Sequence, residues 1–367
     1  MRIGVPRERK DGERRVGLVP DGATALTASG HEVLVERGAG DRVGFDDAAY
    51  AGAGARIVDD PAQIFAAPLI VKVKELQASE LPLLQPGTTV FGFAQLGRDR
   101  ALLDAVLAAR IACIACESIG DAKQGMPLLE PMSRIAGRLA PLIAASLLMN
   151  DRGGSGVLLP GLDPGGVAPG RVVVVGAGSS GSDAAIVSSR LGCDVTVLAR
   201  SEHRFGALRA RCGERVRTAL CSEDELAAAV AAADVVIGAV RDPGRLSPKL
   251  ISRGMLRTMR KGSVLVDIGV DQGGIAETSR MTTLSAPTFV EEGVAHYCVA
   301  NMPAVVARTA TLALTQASLK FVQALADRGL EEALAADSAL RAGLQVFDGG
   351  VTHAGLAADA QLPLARR

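Results

Sequence analysis

The sequence has no excess of either charge, because 40 Lys and Arg residues balance 40 Asp and Glu residues. Proteins that bind nucleic acids or anionic membranes usually carry a basic surplus, so we expect small-molecule ligands and neither of those partners. No uninterrupted apolar run reaches the length of a membrane span, and the start MRIGVPRERKDGERR lacks the apolar core of a signal peptide. These absences predict a cytoplasmic protein.

Cysteines are few and dispersed, with six in 367 residues. Cys113 and Cys116 lie three positions apart in IACIAC, an apolar segment typical of a buried strand. Such a distribution predicts free thiols in a reducing compartment rather than a disulfide framework or a metal centre. We therefore expect no metal site.

Short β-branched segments alternate with Ala- and Leu-rich segments along the chain, a pattern typical of parallel strands with crossover helices. It predicts an α/β protein with two Rossmann-like, doubly wound parallel-sheet domains, a cleft between them and two linking helices. These long helices are predicted at 133–150 and about 305–329. The last segment, 330–350, is predicted to be helical and is too short for a core of its own. We therefore assign 1–130 plus 305–367 to a discontinuous substrate domain and 131–304 to a dinucleotide-binding Rossmann domain.

The segment GAGSSG, residues 176–181, follows the apolar strand RVVVV and opens a helix. In that context it predicts a dinucleotide site, in which Gly176 permits the tight turn and Gly178 lets the backbone approach a pyrophosphate. Gly181 would let the helix pack on the strand. The phosphates are expected on the helix amino terminus, at Ser179 and Ser180.

No acidic side chain stands at the end of the next strand, in VTVLAR, where NAD-binding proteins usually place one for the adenosine ribose. Ala199 and Arg200 occupy that place, and Ser201, His203 and Arg204 follow. A guanidinium would attract a 2′-phosphate, which a carboxylate would repel. The sequence therefore favours NADP(H) over NAD(H), unless Arg200 is a solvated loop charge and the specificity is relaxed.

Five further motifs occur in order along the chain: GVPRERKDGERRVGLVP, VKVKE, PMSRIAGRLA, VDIGVDQGG and HYCVANMP. Together they resemble the family of alanine dehydrogenase and the first domain of pyridine nucleotide transhydrogenase, over nearly the whole sequence. The resemblance implies a discontinuous first domain, an active site in the cleft between the domains and a homo-oligomer. By this resemblance the expected assembly is a hexamer, with a dimer as the minimum.

Motif by motif, the resemblance implies that Arg15 binds the substrate carboxylate and that Lys74 binds the substrate carbonyl. A guanidinium fork suits a carboxylate, and an ammonium stabilises charge developing on an oxygen. Alternation along a strand puts Lys72 and Lys74 on one face, so spacing leaves both open and the motif favours Lys74. Met132 is expected beside the substrate, although such a methionine commonly packs in a core.

The resemblance also places the active-site aspartate at Asp271, after a strand and thus at the carboxyl edge of a sheet. Asp271 would contact the nicotinamide ribose or stabilise a cationic iminium, and a turn-capping role is the alternative. The segment Asn301, Met302 and Pro303 matches the wall around nicotinamide and substrate. Asn301 is assigned to the substrate, and the other two residues to the cofactor.

The chain departs from the family at its general acid–base histidine, where TTVFGFAQLG has Gln95. Glutamine can orient water but cannot exchange a proton near neutral pH, whereas amination of a ketone requires proton transfers. The enzyme could instead reduce an imine formed elsewhere, or release one that hydrolyses in solution. Another group could act as the base, with Asp271 and Lys74 nearest and His296 more distant. The chain could also have lost catalysis.

We predict an NADP(H)-dependent oxidoreductase that acts on the CH–NH2 or C=N group of an amino or imino acid. It would be an amino-acid dehydrogenase or an imine reductase. NAD-dependent alanine dehydrogenase is the alternative within enzymes, and a catalytically silent nucleotide-binding protein is the alternative outside them. Gly92, where the family tends to be bulkier, and VVARTAT after NMP indicate an altered substrate.

Overall fold

The structure is a computed structural model that describes residues 1–162, 164–213, 216–241 and 246–365. The chain forms two compact units, one of Met1–Met132 with Val306–Arg367 and one of Ser133–Val305. The substrate and dinucleotide-binding roles assigned to the two segments stay predictions.

The strands follow one another in chain order and are numbered accordingly. They are β1 (Arg2–Val5), β2 (Glu32–Glu36), β3 (Arg56–Val58), β4 (Leu69–Val71), β5 (Thr89–Gly92), β6 (Ala112–Ala115), β7 (Arg171–Val175), β8 (Asp194–Ala199), β9 (Val216–Leu220), β10 (Val235–Gly238), β11 (Val264–Asp267), β12 (Thr288–Glu291), β13 (Val294–Tyr297), β14 (Leu344–Phe347) and β15 (Gly350–Val351).

The helices are numbered in the same way. They are α1 (Pro20–Ala28), α2 (Asp47–Gly52), α3 (Pro61–Phe65), α4 (Arg100–Ala108), α5 (Leu129–Leu147), α6 (Ser179–Arg190), α7 (Phe205–Cys212), α8 (Glu223–Ala232), α9 (Arg253–Thr258), α10 (Ala307–Ala336), α11 (Ser338–Ala342) and α12 (Ala354–Ala360).

In the first unit, the described strands form one sheet in the order β3-β2-β1-β4-β5-β6-β14-β15. Pairing is parallel from β3 to β6, and β14 and β15 extend the β6 edge antiparallel. Chain order reverses between β1 and β4. Such a reversal is called the switch point of a doubly wound sheet. Ligands bind there, between the loops that follow the carboxyl ends of the strands.

In the second unit, the described strands form a sheet in the order β9-β8-β7-β10-β11-β13-β12. Only β12 runs antiparallel to its neighbour in this described sheet. The switch point lies between β7, which precedes GAGSSG, and β10. The predicted α/β class with two doubly wound parallel sheets is thus confirmed.

Strand burial explains the long apolar runs in the sequence. The four valines Val172–Val175 of β7 are all buried, as expected for parallel strands covered on both faces.

Cys113 and Cys116 are also buried, and all six cysteines are free thiols. Among the described residues, no group of three or more His, Cys, Asp or Glu side chains could hold a metal ion.

The two long helices differ from their predicted bounds. Helix α5 starts at Leu129 rather than 133, and α10 continues to Ala336 rather than 329. Gly329 in α10 has φ 76° and ψ 171°, a non-helical conformation that glycine adopts readily, so the helical path is interrupted where the predicted helix stops. In the described part of the chain, no helix is both long and apolar enough to cross a membrane.

Candidate functional site

Arg15 lies in the loop between β1 and α1 and is only 2% exposed. Its Nε and Nη2 donate to Oε1 and Oε2 of Glu13 at 2.7 and 2.6 Å. Its Nη1 donates to Sδ of Met132 at 3.3 Å. The structure therefore brings Arg15 and Met132 together, and the Glu13 carboxylate fixes the plane of the guanidinium. Sequence reasoning missed Glu13, which lies only two positions from Arg15.

Lys72 and Lys74 occupy different environments. The predicted strand over VKVKE is wrong, since β4 ends at Val71 and Glu8 Oε1 accepts the N–H of Val73 at 2.6 Å beyond it. Lys72 Nζ lies 3.3 Å from Glu8 Oε2 and 3.2 Å from Glu80 Oε2, and it donates to the carbonyl of Lys74 at 2.9 Å. Burial alone lowers the pKa of Lys72, but the two carboxylates outweigh it and raise that pKa. Lys72 is therefore a structural cation.

Lys74 is buried, and its surroundings lower its pKa below that of an ordinary lysine. Its Nζ lies 3.5 Å from Glu75 Oε2, and only 5% of the residue is exposed. Burial lowers the pKa of Lys74; Glu75 opposes that shift, and the charges of Lys10 and Arg15 add to it. Lys74 and Arg15 are thus close enough to influence each other. The arrangement combines a carboxylate-binding fork with an amine that loses its proton more readily than an ordinary lysine.

Gln95 follows β5 and has a left-handed backbone, with φ 48° and ψ 30°. Its N–H donates to Glu117 Oε1 at 2.6 Å, and the N–H of Ala94 donates to Oε2 at 3.2 Å. Burial raises the pKa of Glu117, while these two N–H groups and Lys74 counteract the shift. Sequence reasoning missed Glu117, although an acidic residue directly after the IACIAC strand was a visible signal.

The glycine loop fits a dinucleotide. Gly176 has φ 107°, and a Cβ there would lie 2.4 Å from the Ala239 oxygen. A Cβ on Gly181 would lie 1.8 Å from the Gly176 oxygen, so α6 packs directly on the turn. A Cβ on Gly178 would meet nothing within 4 Å. Gly178 is the N-cap residue of α6, and no side chain covers the first N–H groups of the helix from that position. Space therefore remains for phosphate at the helix amino terminus, where Ser179 and Ser180 begin α6.

Two alanine substitutions in this loop are expected to separate folding from cofactor binding. Gly181→Ala should lower the free energy of unfolding by about 1–3 kcal/mol, because its methyl group collides with backbone. Gly178→Ala should leave stability within about 0.5 kcal/mol. It should nevertheless weaken NADH and NADPH binding about 10- to 100-fold by occupying the phosphate space. Urea denaturation and fluorescence titration measure the two effects, and unchanged binding in Gly178→Ala would contradict the assignment.

The loop after β8 carries an exposed basic group. Arg200, Ser201 and Arg204 are all exposed. The Ser201 Oγ lies 2.7 Å from His203 Nδ1, and Arg204 Nε donates to His203 Nε2 at 3.2 Å. Glu202 is exposed in the same loop. The chain thus offers cations and a hydroxyl beyond Ala199, where no carboxylate ends the strand.

Asp271 is exposed in the 3-10 turn Val270–Gln272, after β11. The start of this loop is tied to its end, because Asp267 Oδ2 accepts the N–H of Ile275 at 2.8 Å and the hydroxyl of Ser279 at 2.5 Å. Burial raises the pKa of Asp267, which is fully inaccessible. Sequence reasoning missed this buried carboxylate. It holds the turn that presents Asp271.

The segment after β13 contains the remaining predicted residues. Asn301 has φ 73°, and its carbonyl accepts the N–H of Ala304 at 3.0 Å. Met302 and Pro303 are buried in the 3-10 turn Met302–Val306. His296 lies within β13 itself and is fully buried. Its Nε2 lies 2.7 Å from Thr278 Oγ1, and its Nδ1 lies 2.8 Å from the Val294 oxygen. Its ring is thus committed to structural hydrogen bonds.

Comparison with known proteins gives the family. The N-terminal domain of Alanine dehydrogenase/PNT matches residues 4–136, and its C-terminal domain matches residues 140–354. The chain belongs to this family. Alanine dehydrogenase of Halomonas elongata is 48% identical over 358 residues, which cover 97% of this chain and 96% of the relative. Alanine dehydrogenase 2 of Staphylococcus aureus is 41% identical with the same coverage.

Solved structures agree with this membership of the alanine dehydrogenase/PNT family. An L-alanine dehydrogenase superposes with a TM-score of 0.95 and 40% identity, covering 98% of this chain and 99% of its own. A transhydrogenase from Sinorhizobium meliloti shares the fold, with a TM-score of 0.81, 24% identity and coverage of 96% and 99%. The protein is therefore an oxidoreductase of the amino-acid dehydrogenase class, which uses a nicotinamide cofactor.

Proposed function

We propose that this chain catalyses the reversible oxidative deamination of alanine, or of an amino acid of similar size, to the 2-oxo acid. The observation that carries the proposal is the buried pairing of a carboxylate-binding fork, Arg15, with Lys74, whose pKa burial lowers. Both residues follow strands that flank the switch point of the first sheet. The relatives named alanine dehydrogenase support the choice of alanine.

The proposed roles follow from the chemistry of each side chain. Arg15 binds the substrate carboxylate through its positively charged guanidinium, and Met132 packs beside it. Lys74 donates a hydrogen bond to the oxygen or nitrogen on Cα and stabilises charge there. A nicotinamide cofactor would supply the acceptor for the hydride of Cα. Gly176, Gly178 and the amino terminus of α6 would hold its pyrophosphate.

Activity assays test this proposal. Purified enzyme should change nicotinamide absorbance with alanine and oxidised cofactor, and with pyruvate, ammonia and reduced cofactor. An imine reductase is the second candidate, because Gln95 stands where an acid–base group would serve ketone amination. Turnover of cyclic imines without turnover of amino acids would favour that candidate. Cofactor binding without turnover of either substrate class would favour the silent protein.

We also infer that the cofactor is NADP(H) in preference to NAD(H). The support is the exposed group of Arg200, Ser201 and Arg204 after β8, which ends at Ala199 without a carboxylate. Charge-assisted hydrogen bonds to a 2′-phosphate contribute about 1.5–3 kcal/mol each. A 2′-hydroxyl offers no such charge.

Replacement of Arg200 by aspartate should therefore reverse the preference. We expect the ratio of kcat/KM for NADPH to that for NADH to fall about 10- to 100-fold, since a cation–phosphate bond is exchanged for repulsion. The matched control is Arg209→Asp, which changes an exposed arginine of α7 and should leave the ratio unaltered. Equal kcat/KM with both cofactors in the unaltered enzyme would contradict the inference.

A further inference from the structure

Three neighbouring strands of the first sheet end beside one another and carry the relevant groups. Strands β4, β5 and β6 pair in parallel register, with Val71 opposite Phe91 and Gly92 opposite Ala115. Their carboxyl ends therefore lead at one edge to Lys74, Gln95 and Glu117 respectively. Because β1, which leads to Arg15, pairs with β4, the same edge also carries the guanidinium of Arg15.

Glu117 is held firmly at this edge. Its two carboxylate oxygens accept the backbone N–H groups of Ala94 and Gln95, at 3.2 and 2.6 Å. Lys74 is the cation whose charge acts on it. Burial, together with the charge of Glu117, raises the pKa of the Cys113 thiol to about 12 and that of the Cys116 thiol well above its usual value. Both thiols therefore stay neutral in the working range.

We propose that the Glu117 carboxylate is the proton acceptor and donor of this enzyme, a role that rests on the proposed deamination and that the Gln95 amide cannot fill. Glu117 accepts a hydrogen bond from the backbone N–H of Gln95, so its carboxyl group lies against the backbone of the residue that replaces the family histidine. A carboxylic acid can exchange a proton, whereas an amide cannot near neutral pH.

The proton transfers of imine hydrolysis can be written in full. Water attacks the C=N carbon of the substrate iminium, the π electron pair moves to nitrogen, and Glu117 takes one proton from the water. Glu117 returns this proton to the amine nitrogen. The C–N bond then breaks with its electron pair, ammonia leaves, and the hydroxyl forms C=O as Glu117 takes its proton. One water is consumed, and one ammonia and one proton are released.

The electrostatic setting suits this role. Burial raises the pKa of Glu117 above the ordinary 4.5, toward the range in which an acid–base catalyst is effective. Lys74, whose own pKa burial lowers, lies beside it and moderates the shift. Deamination requires the ionised form of Glu117. The rate should therefore rise with pH through the Glu117 pKa.

A double-substitution cycle tests the proposal. Glu117→Gln retains a carbonyl oxygen for the backbone N–H groups, and we expect it to lower kcat for deamination about 100-fold or more. Reduction of a preformed cyclic imine, which needs no hydration of C=N, should change less than about 3-fold. In a Gln95→His background the same substitution should have little effect on deamination, because imidazole can transfer the proton. The rate of the double variant should then titrate near the ordinary histidine pKa of about 6.5.

Other results would overturn the role of Glu117. An equal loss with and without Gln95→His, or an equal loss for deamination and imine reduction, would mean that Glu117 only supports the backbone at Gln95. Imine reduction without deamination in the unaltered enzyme would also sink the role while leaving hydride transfer intact. Absence of turnover with both substrates would instead remove the proposed function itself.

A spectroscopic measurement does not depend on turnover or cofactor. Infrared difference spectra of the unaltered enzyme minus Glu117→Gln should contain a protonated-carboxyl band that disappears as pH rises, with a midpoint above 4.5. A carboxyl group that stays ionised throughout this range, with no such band, would contradict the proposed proton exchange.

Discussion

Replacement of Lys74 by methionine is expected to lower kcat/KM for deamination about 100- to 1000-fold, as the loss of one electrostatic donor does in other enzymes. The free energy of unfolding should change by less than about 1 kcal/mol, because burial already disfavours the charge on Lys74 and a methionine of similar volume fills its place. Steady-state kinetics and urea denaturation measure the two effects.

The matched control is Lys72→Met, on the same segment two residues away. Its ammonium lies between Glu8 and Glu80, and its side chain is 0% exposed, so removing it leaves two buried carboxylates without this cation. We expect a loss of about 3–5 kcal/mol in the free energy of unfolding. Loss of activity in a stable Lys72→Met variant, with an active Lys74→Met, would reverse the assignment.

Replacement of Arg15 by methionine is expected to reduce kcat/KM about 1000-fold, because the charge-assisted binding of the substrate carboxylate disappears. The same change should cost stability, by about 3–5 kcal/mol, because the buried Glu13 loses the guanidinium that binds both its oxygens. Kinetics with alanine and a urea titration provide the two readouts.

A second substitution separates these effects of Arg15. Glu13→Gln combined with Arg15→Met should recover much of the stability, because the buried carboxylate is then neutral, while kcat/KM for alanine stays low. Arg14→Met serves as the control, since Arg14 is exposed and should affect neither quantity. If the double variant regained activity together with stability, Arg15 would act through folding and not through the substrate carboxylate.

The periodicity and turn residues of the sequence were sufficient for the α/β class, the two doubly wound sheets and the glycine loop. These features depend on neighbours along the chain: RVVVV must form a strand, Gly176 must take a left-handed turn, and Gly329 must interrupt a helix. Local backbone preferences and apolar spacing carry that information. The prediction of a helix over 330–350 was wrong at β14, whose LQVF segment pairs antiparallel with β6, because the partner of a strand is not contained in its own pattern.

The sequence by itself therefore determined most of the strands and helices and the glycine loop, and the family resemblance singled out Arg15 and Lys74. Spacing left Lys72 and Lys74 equivalent, and only the tertiary structure gives the physical reason why they differ, because Glu8 and Glu80 are brought to Lys72 by folding. It alone brought Glu117 to Gln95, 22 positions away. Burial and charge act through space, and no spacing along a single strand encodes which carboxylate lies across its end.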